Sequence, residues 1–106
     1  MRNLDRLLRP RSVAVIGASS DPARTAGRPI AYLQKHGYGG RIFPVNPRSD
    51  TIAGLPCYAD AAALPEAPDV GMVLLPAERA VSAVRDLARR GAGAAIVLAS
   101  GFAETG

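Results

Sequence analysis

Short unbroken apolar runs alternate along this chain with stretches in which apolar residues recur at every third or fourth position. The first kind of pattern fits strands buried on both faces, and the second fits helices with one buried stripe. Ser12 to Ile16 and Val70 to Leu75 read as buried strands of the first kind, and Arg41 to Val45 and Ala95 to Ala99 as two further strands. Asn3 can cap a short helix in which Leu4, Leu7 and Leu8 form a stripe packed on the sheet edge, ending before Pro10. Ala26, Ile30 and Leu33 predict a second helix, with Pro29 in its first turn and Gly37 just past its end. From Ala77 to Arg90, residues Ala80, Val81, Val84, Leu87 and Ala88 predict the buried face of a third helix, stopped by Gly91. Thr51 to Pro68 lacks periodicity; a short strand near Pro56 to Tyr58 and one helical turn from Asp60 to Leu64 are expected there.

Strands alternating with helices predict an α/β fold, a Rossmann-like doubly wound parallel sheet of about five strands with right-handed crossovers. Ligands of such sheets sit in the crevice beyond the carboxyl ends of the strands. The residues brought there by the predicted strand ends are Gly17 to Asp21, Asn46 to Arg48, Pro76 with Ala77, and Ser100 with Gly101.

The stretch after the first strand carries the most chemistry. Gly17-Ala18-Ser19-Ser20-Asp21 is a loop of small residues that leads into a helix. The first N–H groups of a helix have no intrahelical partner, and small side chains let a pyrophosphate reach the backbone. Ser19, Ser20 and Asp21 stand where a dinucleotide fingerprint would place its second and third glycines, which argues against a plain NAD site. Arg48 argues the same way, because a site for an unmodified ribose diol calls for a carboxylate at the end of the second strand. A guanidinium there suits a ribose phosphate. Charge alone leaves both the 3′-phosphate of coenzyme A and the 2′-phosphate of NADP open. Arg24 and Arg28 flank the loop and are further candidates for phosphate oxygens.

Composition narrows the partners. The chain has 106 residues, 48% of them hydrophobic, and a net charge of +4. That length fits one small core, so a single domain over residues 1–106 is expected, cut from something longer because no closing helix follows the last strand. The basic residues form no dense block and are not interleaved with aromatics, which argues against a nucleic-acid surface. No apolar run reaches the ~18 residues of a membrane span, and no leader pattern is present. Cys57 is the only cysteine, so no disulfide framework is possible; a reducing cytoplasm and no membrane partner are expected. Cys57 itself reads as a half-buried small apolar residue, the three tyrosines as packing groups, and His36 as a solvated helix-end residue.

Several segments then fall into an order that resembles a known family. They are Leu7 to Ser19, Val45-Asn46-Pro47, Gly54-Leu55-Pro56, Asp69-Val70 leading to Pro76-Ala77, and Ser100 to Glu104. Together they span nearly the whole chain and look like the N-terminal CoA-binding domain of NDP-forming acyl-CoA synthetases, relatives of the succinyl-CoA synthetase alpha subunit. The resemblance implies that Ser19, Ser20, Asp21 and Pro22 face the phosphates, with Asn46, Pro47 and Arg48 on the second loop. Arg48 stands near a lysine of many relatives. It also implies that Leu98, Ala99 and Ser100, with Gly101 and Pro76 nearby, border the pantetheine arm; the succinyl-CoA branch carries a carboxylate near Ser100, and this sequence does not. Family enzymes work through an acyl phosphate and a phosphohistidine. His36 is not in that segment, so this stretch is expected to bind coenzyme A or an acyl-CoA without turning it over, beside the remaining domains or a subunit of the synthetase. The same domain opens certain protein lysine acetyltransferases, where it would act as a CoA-sensing regulatory unit. An NADP-binding oxidoreductase fragment is the third reading.

Overall fold

A computed structural model describes residues 9–19 and 27–98. Four parallel strands form the main sheet: β1 (Ser12–Ile16), β2 (Arg41–Val45), β5 (Val70–Val73) and β6 (Ala94–Val97), in the order β2-β1-β5-β6. A tight antiparallel pair, β3 (Thr51–Ile52) and β4 (Leu55–Pro56), follows β2. Helix α1 (Arg28–Lys35) connects β1 to β2, and α2 (Ala77–Arg90) connects β5 to β6.

The alternation of β1 shows why this sheet needs cover on both sides. Ala14 and Ile16 join Phe43, Val45 and Val73 in one apolar cluster, closed by Ala80, Ala83 and Leu87 of α2. Val13 and Val15 point the other way and meet Ile30 of α1, Ile52 of β3 and Leu74. The two helices therefore cover opposite faces, as the doubly wound reading expects. β1 lies at the centre with every residue buried, including Ser12, whose Oγ accepts from the Asp69 backbone N–H at 3.1 Å.

α2 is held close to β5 by one notch. A Cβ on Gly71 would lie 2.5 Å from Leu87 Cδ1, so the Leu87 side chain occupies the space that a larger residue on β5 would fill. Leu87 is fully buried. This contact sets the rotation of the helix about its axis. Ala80, Ala83 and Leu87 face inward, whereas Val81 is 62% exposed and Ala88 is exposed, contrary to the sequence expectation for both. Ala92 N–H donates to Leu87 O at 3.0 Å and ends the helix, keeping Ala92 against the same cluster.

Further expectations are revised. The sheet has four strands among the described residues, not about five; the segment near Tyr58 adds only a parallel bridge to Val45 on the β2 edge. The stretch before it holds a hairpin at 51–56 that periodicity could not show, since each of its strands is two residues long. The last strand runs Ala94–Val97 and is an edge strand, with Ile96 39% and Val97 46% exposed. An apolar run does not say whether a strand has one neighbour or two. Tyr38 and Tyr58 do pack, Tyr58 edge-on to Phe43 with ring centroids 5.9 Å apart, but Tyr32 is exposed and leans on His36 instead. The helical turn after Asp60 is a 3-10 turn (Ala61–Ala63), capped by Asp60 Oδ1 accepting from Ala63 N–H at 3.0 Å. The helix expected around Leu4 to Leu8 lies outside the described residues.

Candidate functional site

The chain leaves β1 toward α1 and β2 on one side and returns through β5 on the other, so the order in which strands are added reverses between β1 and β5 while all stay parallel. At that point the loops beyond the strands splay apart and leave a crevice. It measures about 790 Å³ and lies beyond the carboxyl ends of β1, β2 and β5.

Gly17 shapes its floor. Its φ is +86°, and an added Cβ would sit 2.6 Å from Leu74 O and 2.9 Å from Leu75 Cδ2. Only glycine fits both the left-handed backbone and the close approach of the β5 chain. Gly17 N–H still donates to Val45 O at 2.9 Å, so the turn is locked to β2 on one side and pressed on β5 on the other. Ala18 follows, wholly buried, and half-buried Ser19 lines the crevice.

The wall from β2 is built around Asn46. Its Nδ2 donates to Ala18 O at 2.9 Å, and its Oδ1 accepts from Arg48 N–H at 2.8 Å. Its backbone N–H donates to Tyr58 O at 2.9 Å. Pro47 and Arg48 lie beyond it, exposed, with Arg48 along the crevice. Behind this loop the Cys57 thiol donates to Asn46 O at 3.5 Å; burial pushes its pKa up, and Asp50 adds in the same direction.

The opposite wall is α2. Pro76 is its N-cap; it supplies no side-chain acceptor to the first turn, but its carbonyl accepts from Arg79 N–H and Ala80 N–H, each at 2.9 Å, and Pro76 lines the crevice. Glu78, Arg79 and Ser82 also line this wall. Sequence reasoning did not name them. Their signal was present, because Glu78, Ser82 and Asp86 recur at every fourth position immediately after a strand end. The crevice thus receives guanidinium groups from two elements, Arg48 and Arg79, alongside the carboxylates of Asp60, Glu78 and Asp86.

Of the residues singled out from the sequence, the structure brings together Gly17, Ser19, Asn46, Pro47, Arg48 and Pro76 around this one crevice. Ser20, Asp21, Pro22, Arg24, Ser100 and Gly101 lie outside the described residues. Arg28 opens α1, exposed, and does not line the crevice. Among the described residues no group of three or more His, Cys, Asp or Glu is placed to hold a metal ion, and no helix is long and apolar enough to cross a membrane.

Comparison with known proteins gives one consistent result. The CoA binding domain family matches residues 11–105. A trans-feruloyl-CoA synthase from an unknown prokaryotic organism is 41% identical over 105 residues, covering 99% of this chain and 15% of its own length. The ADP-forming acetate–CoA ligase II of Archaeoglobus fulgidus is 38% identical over 104 residues, covering 94% of this chain and again 15% of its own length. In three dimensions, the acetyl-coenzyme A synthetase 1 of Ca. Korarchaeum cryptofilum, solved in complex with phosphate and ADP, superposes with a TM-score of 0.88 at 34% identity. That match takes in 100% of this chain and 23% of the synthetase chain. The chain therefore spans about a seventh of the length of these two relatives.

Proposed function

This chain belongs to the CoA binding domain family, and on that premise we propose that it is the CoA-holding N-terminal domain of an NDP-forming acyl-CoA synthetase. The full enzyme would join a free acid to CoA at the expense of a nucleoside triphosphate, releasing a nucleoside diphosphate and phosphate. The catalytic groups for that reaction belong to the rest of the synthetase, as further domains or a separate subunit; one relative, from Pyrococcus furiosus, is itself an alpha subunit. A cytoplasmic location is part of the same reading.

The observation that carries the proposal is the crevice where the strand order reverses, floored by Gly17 and walled by Asn46 to Arg48 and by α2. In this reading the diphosphate of CoA lies against the loop after β1, from Gly17 through Ser19 and on to Ser20, Asp21, Pro22 and Arg24. Arg48 meets the ribose 3′-phosphate with a forked pair of N–H donors. The pantetheine arm runs past Pro76 toward Ser100 and Gly101. The acid and the nucleotide are selected elsewhere in the enzyme.

Calorimetric titration of the 106-residue chain with CoA, dephospho-CoA and NADPH, in one buffer at one salt concentration, tests it. CoA is expected to bind more tightly than either competitor. NADPH binding with CoA silent would refute the assignment.

A further inference from the structure

We infer that Asn46 is a positioning residue that couples the two loops of the crevice, its carboxamide spanning them instead of contacting the ligand. The inference rests on the CoA reading above. Both polar atoms of the side chain are engaged within the protein, Nδ2 on Ala18 O at 2.9 Å and Oδ1 on Arg48 N–H at 2.8 Å. The orientation of the amide is fixed by this pairing, because turning it over would set a donor against a donor and an acceptor against an acceptor.

The two bonds do different things. The Arg48 bond closes a local turn of the kind that Asn, Asp and Ser make with the residue two places on. It decides where the backbone, and hence the side chain, of Arg48 starts. The Ala18 bond is not part of any turn: it joins positions 28 residues apart and ties the loop after β1 to the loop after β2. Ala18 is fully buried, so its carbonyl loses a partner that water does not readily replace. The backbone of Asn46 is anchored from behind by Tyr58 O, by Ser49 N–H at 3.4 Å and by the Cys57 thiol, so the side chain works from a fixed base. One carboxamide thereby holds the diphosphate-facing loop with one bond and the starting point of the cation proposed for the 3′-phosphate with the other.

Two neutral substitutions separate the bonds. Asn46→Ser keeps a short acceptor for Arg48 N–H but cannot reach Ala18 O; Asn46→Ala removes both. Each variant and the wild type are titrated with CoA and dephospho-CoA, with far-UV circular dichroism and a thermal melt as folding controls. N46S is expected to lose about tenfold in affinity for both ligands at an unchanged CoA to dephospho-CoA ratio. N46A is expected to lose at least as much and, in addition, to bring that ratio toward one. A purely structural role would lower the melting temperature of both variants and leave the ratio alone in both, and that result overturns the inference. So does wild-type affinity in N46S. Should N46A fail to fold, N46S decides by itself: with circular dichroism showing it fully folded at the titration temperature, loss for both ligands at constant ratio supports the strut, and wild-type affinity, an altered ratio, or a loss that vanishes well below its melting temperature refutes it. A wild type that binds no CoA at all refutes the functional reading and this inference together, whereas a binding wild type with insensitive variants refutes this inference alone.

Discussion

Replacing Gly17 by alanine is expected to destabilise the domain by about 1–4 kcal/mol, and the structure divides that figure into two parts. The first is conformational. At φ +86° an alanine carries the left-handed penalty of roughly 1–2 kcal/mol, reduced by the ~0.4–1 kcal/mol that any Gly→Ala change gains by restricting the unfolded chain. The second is steric. The new Cβ would stand 2.6 Å from Leu74 O, a backbone atom of the strand end that cannot swing away as a side chain would. Forcing an extra carbon into a close-packed site typically costs about 1–3 kcal/mol. Gly54→Ala is the internal control: φ is +80°, nearly the same, yet nothing lies within 4 Å of the added carbon. It should cost only the conformational part, about 1 kcal/mol or less. With no tryptophan in the chain, urea unfolding followed by far-UV circular dichroism is the suitable assay. The difference between the two variants, about 1–3 kcal/mol, isolates the Leu74 contact. Equal losses in both would refute the argument that Gly17 is required by the approach of the β5 chain.

Two further outcomes follow from the same geometry. Arg48→Ala should weaken CoA by about 1.5–3 kcal/mol, as loss of a charge-assisted hydrogen bond does, with dephospho-CoA nearly unchanged in the same titration; equal losses for both ligands would remove Arg48 from the 3′-phosphate. The raised pKa of Cys57, caused first by burial, means that the folded protein holds the thiol proton more tightly than the unfolded chain. That contribution to stability is complete below the ordinary thiol range near pH ~8.5 and is lost as pH rises through the folded value, so urea midpoints of the wild type should fall more steeply above that range than those of Cys57→Ala.

Most of the fold was legible in the sequence because its central elements are periodic over enough residues to be unambiguous. β1 and β2 run over the expected residues, and α2 spans Ala77–Arg90 as its pattern predicts. The departures share a cause: they turn on who the neighbours are. Nothing in the run from Ala94 to Val97 marks it as the sheet edge, and nothing in the α2 pattern chooses between a stripe through Ala80, Ala83 and Leu87 and one through Val81 and Ala88. Gly71, on another element, makes that choice by admitting Leu87. The hairpin at 51–56 escaped because strands of two residues carry no period; it is secured instead by Ile52, buried under α1, and by Gln34 Nε2 donating to Ala53 O at 3.1 Å.

The site divides along the same line. Strand ends could be placed from the sequence, and with them Gly17, Ser19, the Asn46 to Arg48 loop and Pro76, which do meet at one crevice. The contribution of α2 could not, because a polar residue on a helix reads as solvated until the helix's rotation is known. The Leu87 notch that turns Val81 outward also turns Glu78 and Ser82 toward the crevice, so the packing choice on the far side of the helix decides which polar groups a ligand would meet. Enlarging Gly71 would therefore act at two places at once. It would loosen the core around Leu87 and displace the crevice wall formed by Pro76, Glu78 and Arg79, which ties the stability of this small domain to the shape of its binding site.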